Sequence, residues 1–202
     1  MTKKIERDDV SCFQDYEVHI PTRTLYMGSR MIDDEEAGVD AIMAERIIKG
    51  LHLLDTADKD AREGNNPITI IMNNSGGDWH HGMAIYNAIK SCKNHITIKV
   101  FGYAMSMGSI ILQAADERLM AEDACCMIHY GELKIHDHPK IVMNWTDYEK
   151  KVTHPRMEEI YMEKIKEKKP KFRKDKLRKM LDFDTILTAK QTVDLGLADR
   201  IV

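Results

Sequence analysis

The sequence lacks the features that mark several classes of protein. Its four cysteines, Cys12, Cys92, Cys125 and Cys126, show no paired spacing of a zinc site or redox motif. Reduced thiols are therefore expected, as in a cytoplasmic protein. No apolar run approaches the length of a membrane span, and the first residues lack the apolar core of a signal peptide. A net charge of −3 gives no reason to expect a nucleic-acid partner.

What remains is an ordinary globular composition. The chain has 202 residues, of which 43% are hydrophobic and 31% charged, enough for one well-buried core. Residues 1–20 are polar and mixed in charge, which predicts a mobile N-terminal arm. Residues 21–202 are then expected to form a single domain.

Hydrophobic patterning predicts alternating strands and helices. Strands are expected over residues 24–27, 68–72 and 96–101, with helices over 80–90 and 106–115. Such alternation is typical of a parallel α/β core. Short strands follow near residues 118–120 and 126–129.

Other helices are indicated by caps and stripes. The acidic run 33–36 predicts a helix start, ahead of a buried stripe made by Val39, Met43, Ile47, Leu51 and Leu54. A long helical stretch covers about 142–168, interrupted only by Pro155. Thr188 and Gln191 form a capping-box pattern, and Gly196 ends that helix.

Three residues together suggest nucleophilic catalysis. Ser106 follows a strand and opens an apolar helical segment, where free N–H groups and the helix dipole favour a developing anion. His129 ends another apolar run, and Asp184 comes later. The set supplies a nucleophile, a general base and an orienting carboxylate. Each of these residues alone would more commonly have a structural role. Only the combination of the three indicates nucleophilic catalysis.

Several sequence blocks resemble the Clp protease proteolytic subunit family. Residues 70–77 (Ile-Ile-Met-Asn-Asn-Ser-Gly-Gly) match a family strand ending in Asn-Ser-Pro-Gly-Gly, and residues 105–108 (Met-Ser-Met-Gly) match its Ala-Ser-Met-Gly. Residues 127–129 (Met-Ile-His) match its Met-Ile-His. Asp184 precedes Ala189 by five residues, as the family's aspartate does. The C-terminal Gly-Leu-Ala-Asp-Arg-Ile is similar to the family ending, so the resemblance covers nearly the whole chain.

The resemblance implies a fold, an activity and a site. The fold is an α/β, crotonase-like superhelix of ββα units, with a protruding handle helix over about 142–168. The activity is that of a serine endopeptidase that forms an acyl-enzyme with Ser106, using His129 and Asp184. The resemblance also implies that the N–H groups of Gly77 and Met107 form the oxyanion hole. No metal or organic cofactor is expected.

The resemblance also implies an assembly. Family members form heptameric rings, usually stacked in pairs as a tetradecamer, and degrade unfolded polypeptides inside the chamber. An AAA+ unfoldase partner uses ATP, and the peptidase does not. No membrane partner is expected. Here residues 130–139 and Thr185 differ from the family at ring–ring contacts, so ring pairing is expected to be weak.

Two other classes of function stay open from the sequence. A crotonase-type enzyme acting on an acyl-coenzyme A thioester shares the fold and the oxyanion hole but does not need Ser106. A catalytically silent, ring-forming subunit would modulate an active paralogue, although all three triad residues are present.

The histidine-rich and basic segments are more simply explained as solvated surface than as metal or nucleic-acid sites. His80-His81 and His136-Asp-His138 lack the additional ligands of a zinc pattern and are expected to be solvated loop residues. Residues 164–179 are rich in Lys and Arg, which is typical of a solvated face. Trp79 and Trp145 are expected to lie in the core or at a subunit contact.

Overall fold

The computed structural model describes residues 7–28, 30–32, 35–56 and 66–202. The strands are β1 Val18–His19, β2 Thr24–Gly28, β3 Arg30–Ile32, β4 Glu35–Ala37, β5 Ile68–Asn74, β6 Ile96–Met105, β7 Glu117–Met120, β8 Cys125–Ile128, β9 Thr185–Thr188 and β10 Arg200–Ile201. Most of them belong to one sheet in the order β1-β2-β5-β6-β7-β10, in which β8 pairs with β6 and β9 pairs with β8, while β3 and β4 form a separate two-stranded sheet.

Among the described residues, an α-helix follows β4, β5, β6, β8 and β9. A 3₁₀ turn covers Ile20–Thr22, and a π-helical turn covers Glu149–Thr153. The helices are α1 Arg7–Tyr16, α2 Ala41–Thr56, α3 Trp79–Ser91, α4 Met107–Leu112, α5 Pro139–Tyr148, α6 His154–Lys168, α7 Lys174–Leu181 and α8 Ala189–Leu195.

The centre of the sheet is parallel, as the continuous apolar strands predict. β2, β5, β6 and β7 pair in parallel, whereas β1 with β2 and β8 with β9 are antiparallel. Ile68, Ile70 and Met72 of β5 are fully buried. Strand β6 pairs with two different strands along its length, with β7 through Thr97–Val100 and with β8 through Tyr103–Met105.

The start of helix α2 corrects one prediction. The helix begins at Ala41 and not at the acidic run 33–36, of which Glu35 and Glu36 belong to the β3–β4 hairpin. Asp40 caps the start of α2, because its side-chain Oδ1 accepts a hydrogen bond from the Met43 N–H at 2.8 Å. The predicted stripe from Val39 to Leu54 is buried. The polar composition of residues 58–66 predicts a loop, and all of these residues except Asn66 lie outside the described ranges.

The N-terminal segment, predicted to be a mobile arm, contains a helix and a short strand. Helix α1 covers Arg7–Tyr16, and Val18 and His19 pair with Leu25 and Thr24. Residues 1–6 lie outside the described ranges, and the mobility of the segment remains a prediction.

The long helical stretch runs from Pro139 to Lys168. It begins three residues earlier than predicted, where His138 Nδ1 accepts a hydrogen bond from the Lys140 N–H. Pro155 does not interrupt it, because the π-helical turn immediately upstream widens the helix where a proline ring would meet the carbonyl four residues back. No side chain of α5 is buried, whereas α6 buries Met157, Ile160, Tyr161 and Ile165.

The C-terminal helix behaves as its sequence predicts. Thr188 Oγ1 accepts from the Gln191 N–H, and Gln191 Oε1 accepts from the Thr188 N–H. Gly196 ends α8 in the left-handed conformation at φ 96°. Cys125 and Cys126 point to opposite faces of β8, with Cys126 buried. Within the described ranges, no helix combines the length and apolar character that crossing a membrane requires.

Candidate active site

Three strand ends bring the predicted catalytic residues together. β6 and β8 run in parallel with Met105 beside Met127, so Ser106 and His129 follow the same end of both strands. β9 runs antiparallel to β8 with Thr185 opposite Ile128. The next pair in that register is Asp184 and His129. The pairing of three strands therefore places all three side chains at one edge of the sheet.

Ser106 occupies an unusual backbone conformation between β6 and α4. Its φ is 50° and its ψ is −122°, a region that residues with a side chain rarely adopt. The Ser106 N–H donates to Met127 O at 2.8 Å. Its carbonyl accepts from the Ser109 hydroxyl at 2.6 Å, and the Ser109 hydroxyl lies 2.6 Å from that of the fully buried Tyr161. These contacts hold the serine at the tip of a sharp turn.

His129 bridges the other two side chains. Its Nε2 lies 2.8 Å from Ser106 Oγ, and its Nδ1 lies 2.8 Å from Asp184 Oδ1. An ionised carboxylate can only accept a hydrogen bond, so Nδ1 carries the proton toward Asp184. Nε2 is then left to accept the Ser106 proton, which is the arrangement of a nucleophile with its base.

The carboxylate beside His129 is that of Asp184 and not Asp182. Asp182 caps the end of α7, where its N–H donates to Arg178 O. Thr185 Oγ1 donates to Met180 O at 2.6 Å, which ties the start of β9 to the last turn of α7. The Asp184 side chain is 69% exposed, so the backbone and His129 fix its position.

The predicted oxyanion donors lie at the same edge. Within the described part of the chain, the N–H groups of Gly77 and Met107 have no hydrogen-bond acceptor, and both residues line the cleft that holds Ser106. Met107 is the first residue of α4, where an unpaired N–H is normal. The two groups are free to bind an anion that develops on a substrate.

The glycine turn that carries Gly77 is packed on both sides. Gly76 has φ 106°, and a Cβ there would lie 2.5 Å from the Ser106 Cβ. Gly77 has φ 142°, and a Cβ there would lie 2.4 Å from Val39 N. Asn74 Oδ1, fully buried, accepts from the Gly76 N–H at 3.0 Å. Only glycine allows this close approach to the serine.

A cleft of about 650 Å³ opens beside the three residues. α4 and α6 contribute apolar walls, including Met107, Ile110 and Met157. Trp79, His80 and Trp145 line it as well, and the His80 ring lies 6.2 Å from that of Trp145. His80 and His81 belong to α3, which corrects the prediction that they are loop residues. No cluster of three potential metal ligands occurs among the described residues.

A buried carboxylate near the site is not among the residues that the sequence patterns predict. Glu158 on α6 is 3% exposed. Its oxygens accept from Tyr130 Oη at 2.6 Å, from Arg178 at 2.9 and 3.0 Å, and from Lys174 Nζ at 2.8 Å. The signal was present: Glu158 lies four residues after His154 and three before Tyr161, on the inward face of the helix.

Comparisons with known proteins identify the family of this chain. A family model described as "Clp protease" matches residues 20–202. The chain belongs to the Clp protease family. An ATP-dependent Clp protease proteolytic subunit 1 from Protochlamydia amoebophila is 30% identical over 183 residues, which cover 87% of this chain and 82% of that protein. A proteolytic subunit from Deinococcus radiodurans is 26% identical over 166 residues, covering 81% and 76%.

Two further comparisons concern length and fold. The chloroplastic proteolytic subunit 3 from Arabidopsis thaliana is 32% identical over 109 residues, which span 53% of this chain but only 31% of that relative. A solved structure of a ClpP1 mutant from Listeria monocytogenes superimposes with a TM-score of 0.73 at 23% identity, covering 94% of this chain and 95% of that one. This likeness confirms the predicted ClpP-like α/β fold.

The Glu158 cluster makes a prediction about acid stability. Burial raises the pKa of Glu158, but hydrogen bonds from Arg178, Lys174 and Tyr130 outweigh it and lower the pKa from 4.5 to about 2. A carboxyl with a lowered folded pKa stabilises the fold above its unfolded pKa, and that stability is lost as the pH falls through the folded value.

We therefore expect Glu158→Gln to lower the free energy of unfolding by a constant amount above about pH 5. The difference from wild type should shrink as the pH falls from 4.5 toward 2. Urea unfolding at several pH values measures it. Glu167→Gln, which removes an exposed carboxylate paired with Lys164 on the same helix, is the control. A difference that does not change over this pH range would contradict the prediction.

Proposed function

We propose that this chain is a serine endopeptidase with a Ser106-His129-Asp184 triad. The observation that carries the proposal is the unbroken pair of 2.8 Å contacts, from Ser106 Oγ to His129 Nε2 and from His129 Nδ1 to Asp184 Oδ1. Membership of the Clp protease family supports the choice of a peptide bond as substrate.

Acylation begins with attack of Ser106 Oγ on the peptide carbonyl. His129 Nε2 takes the serine proton and passes it to the leaving amine, so the peptide C–N bond breaks as the ester forms. Asp184 holds the imidazole in the required tautomer and stabilises the imidazolium. Water, deprotonated by His129, then attacks the ester and releases the acid product and Ser106.

The N–H groups of Gly77 and Met107 stabilise the tetrahedral intermediate. Gly77 and Met107 both line the cleft beside Ser106, and within the described part of the chain their N–H groups have no hydrogen-bond acceptor. An oxyanion donor contributes about 3–4 kcal/mol in the transition state. The proposed chemistry uses only side chains, backbone amides and water, and no metal or organic cofactor.

The triad geometry favours a peptidase over the two other classes. An acyl-coenzyme A enzyme of the crotonase type would use the oxyanion hole but would leave the Ser106–His129 contact without a role. A silent subunit does not require an intact triad, yet here every member contacts the next at 2.8 Å.

Ser106→Ala tests the nucleophile. We expect loss of hydrolysis of a short fluorogenic peptide by a factor on the order of 10⁶, because the nucleophile and base act as one unit. Ser91→Ala, at an exposed serine that ends α3, is the matched control and should keep wild-type activity. The thermal midpoint of Ser106→Ala should show that folding is intact. Hydrolysis near the wild-type rate would rule out Ser106 as the nucleophile.

Asp184→Asn and Asp182→Asn separate the two neighbouring carboxylates. Asn at 184 would disturb the imidazole tautomer, so we expect kcat to fall by about 10⁴-fold. Asp182→Asn should stay close to wild type, since Asp182 makes no contact with His129. Assays of both variants side by side decide the matter, and the reverse order of damage would contradict the assignment of Asp184.

A ring assembly is the proposed setting for this chemistry. In the single chain Phe101, Phe183 and Ile186 are 58%, 75% and 63% exposed, so these large apolar side chains are available for burial against other copies of the chain. Head-to-tail contacts between copies close into a ring when the rotation allows it. We propose a heptamer, with weak pairing into a tetradecamer, that receives unfolded polypeptide from an ATP-driven AAA+ unfoldase.

Native mass measurement tests the ring. The expected particle has seven chain masses, and the paired form should dissociate on dilution or on addition of salt. A stable monomer at micromolar concentration would contradict the ring, whereas a salt-resistant particle of fourteen chains would contradict weak pairing alone.

A further inference from the structure

The buried carboxylate of Glu158 connects three elements around the site. It lies on α6, and its partners are Tyr130, directly after His129, and two cations of α7, Lys174 and Arg178. Among the described residues, Glu158 and Arg118 are the only charged side chains that are buried. A buried charge requires partners with good geometry, and Glu158 has three.

The first connection leads to His129. Tyr130 is fixed at both ends, since its N–H donates to Leu181 O at 2.9 Å and its hydroxyl donates to Glu158 Oε1 at 2.6 Å. Its ring also stacks on His154 at 4.3 Å between centroids. Burial and the nearby carboxylate raise the pKa of Tyr130, so the phenol remains a donor. Tyr130, the residue that follows His129 in the chain, is therefore held against α6.

The second connection leads to Asp184. Arg178 contacts both oxygens of Glu158 and thereby fixes α7 against α6. Helix α7 ends at Leu181, only three residues before Asp184. Because the Asp184 side chain is largely exposed, the docking of α7 and the start of β9 decide where its carboxylate lies.

We propose that Glu158 is a positioning residue that sets the distance between His129 and Asp184 from outside the cleft. The inference rests on the proposed function, since it assigns a role toward the proposed triad. Glu158 does not line the cleft, so it acts through Tyr130 and α7 and not on the substrate. A misplacement of about 1 Å at a triad can reduce the rate about 100-fold.

The test compares Glu158→Gln with wild type and with Glu167→Gln. Gln keeps the size of the side chain and an acceptor for Tyr130, but it loses the charge that holds Arg178 and Lys174. We expect kcat for a fluorogenic peptide to fall by about tenfold to 100-fold with KM unchanged. The rate at which a fluorophosphonate modifies Ser106 should fall in parallel, because that reaction needs the triad and no substrate binding. Glu167→Gln should match wild type in both rates.

Two partner variants keep the test decisive if Glu158→Gln does not fold. Tyr130→Phe removes one hydroxyl, and Arg178→Gln removes one exposed cation. Each should lower the fluorophosphonate rate, and the double variant should lower it by less than the product of the two single effects, since both act on one carboxylate. Two full, independent effects, or none, would overturn the proposal.

The outcomes separate this inference from the proposed function. If wild type reacts with the probe and Glu158→Gln only melts at lower temperature, with kcat and probe rate per folded chain unchanged, Glu158 is purely structural and the inference is overturned while the peptidase stands. If wild type hydrolyses no peptide and takes up no probe, the proposed function fails, and the inference fails with it.

Discussion

The pairing of β8 with β6 on one side and β9 on the other is the constraint on which the site depends. Cys126 and Ile128 of β8 are fully buried, and Leu187 of β9 lies opposite Cys126. A slip of one residue would turn these apolar side chains to the opposite face of the sheet, so burial of the core fixes the register. The same register places His129 beside Asp184 and one step beyond Ser106. The geometry of the candidate triad is therefore a consequence of how the core packs.

Ser106, the proposed nucleophile, has a strained backbone conformation that its surroundings hold in place. A residue with a side chain at the φ and ψ of Ser106 costs on the order of 1–3 kcal/mol. Backbone contact with Met127, the Ser109–Tyr161 pair and the close approach of Gly76 all restrict the turn. The hydroxyl thereby projects beyond the end of β6, and the Met107 N–H at the start of α4 has no acceptor among the described residues. Strain at Ser106 thus exposes both its hydroxyl and the N–H group of Met107, the two groups that the proposed mechanism uses.

Local patterns predicted much of this architecture because the deciding interactions lie close in sequence. The parallel core follows from apolar strands such as Ile68–Asn74, and the capping box at Thr188 is a contact over three residues. The acidic run before α2 misled the prediction, since helix-start preferences are weak and Asp40 supplies the cap. The position of Glu158 on the inward face of α6 follows from local spacing, but its partners do not, because they require α7 to pack on α6. The continuous helix through Pro155 requires a π-helical turn that the local sequence does not indicate.

Covalent labelling of the folded chain tests most directly whether the register of three strands creates an activated serine. A fluorophosphonate probe, with the adduct located by peptide mass spectrometry, reports whether Ser106 is more reactive than an ordinary hydroxyl. We expect a single adduct on Ser106 in the native protein and none when the sheet is unfolded in urea before the probe is added. An adduct on another serine, or no adduct on the native protein, would contradict it.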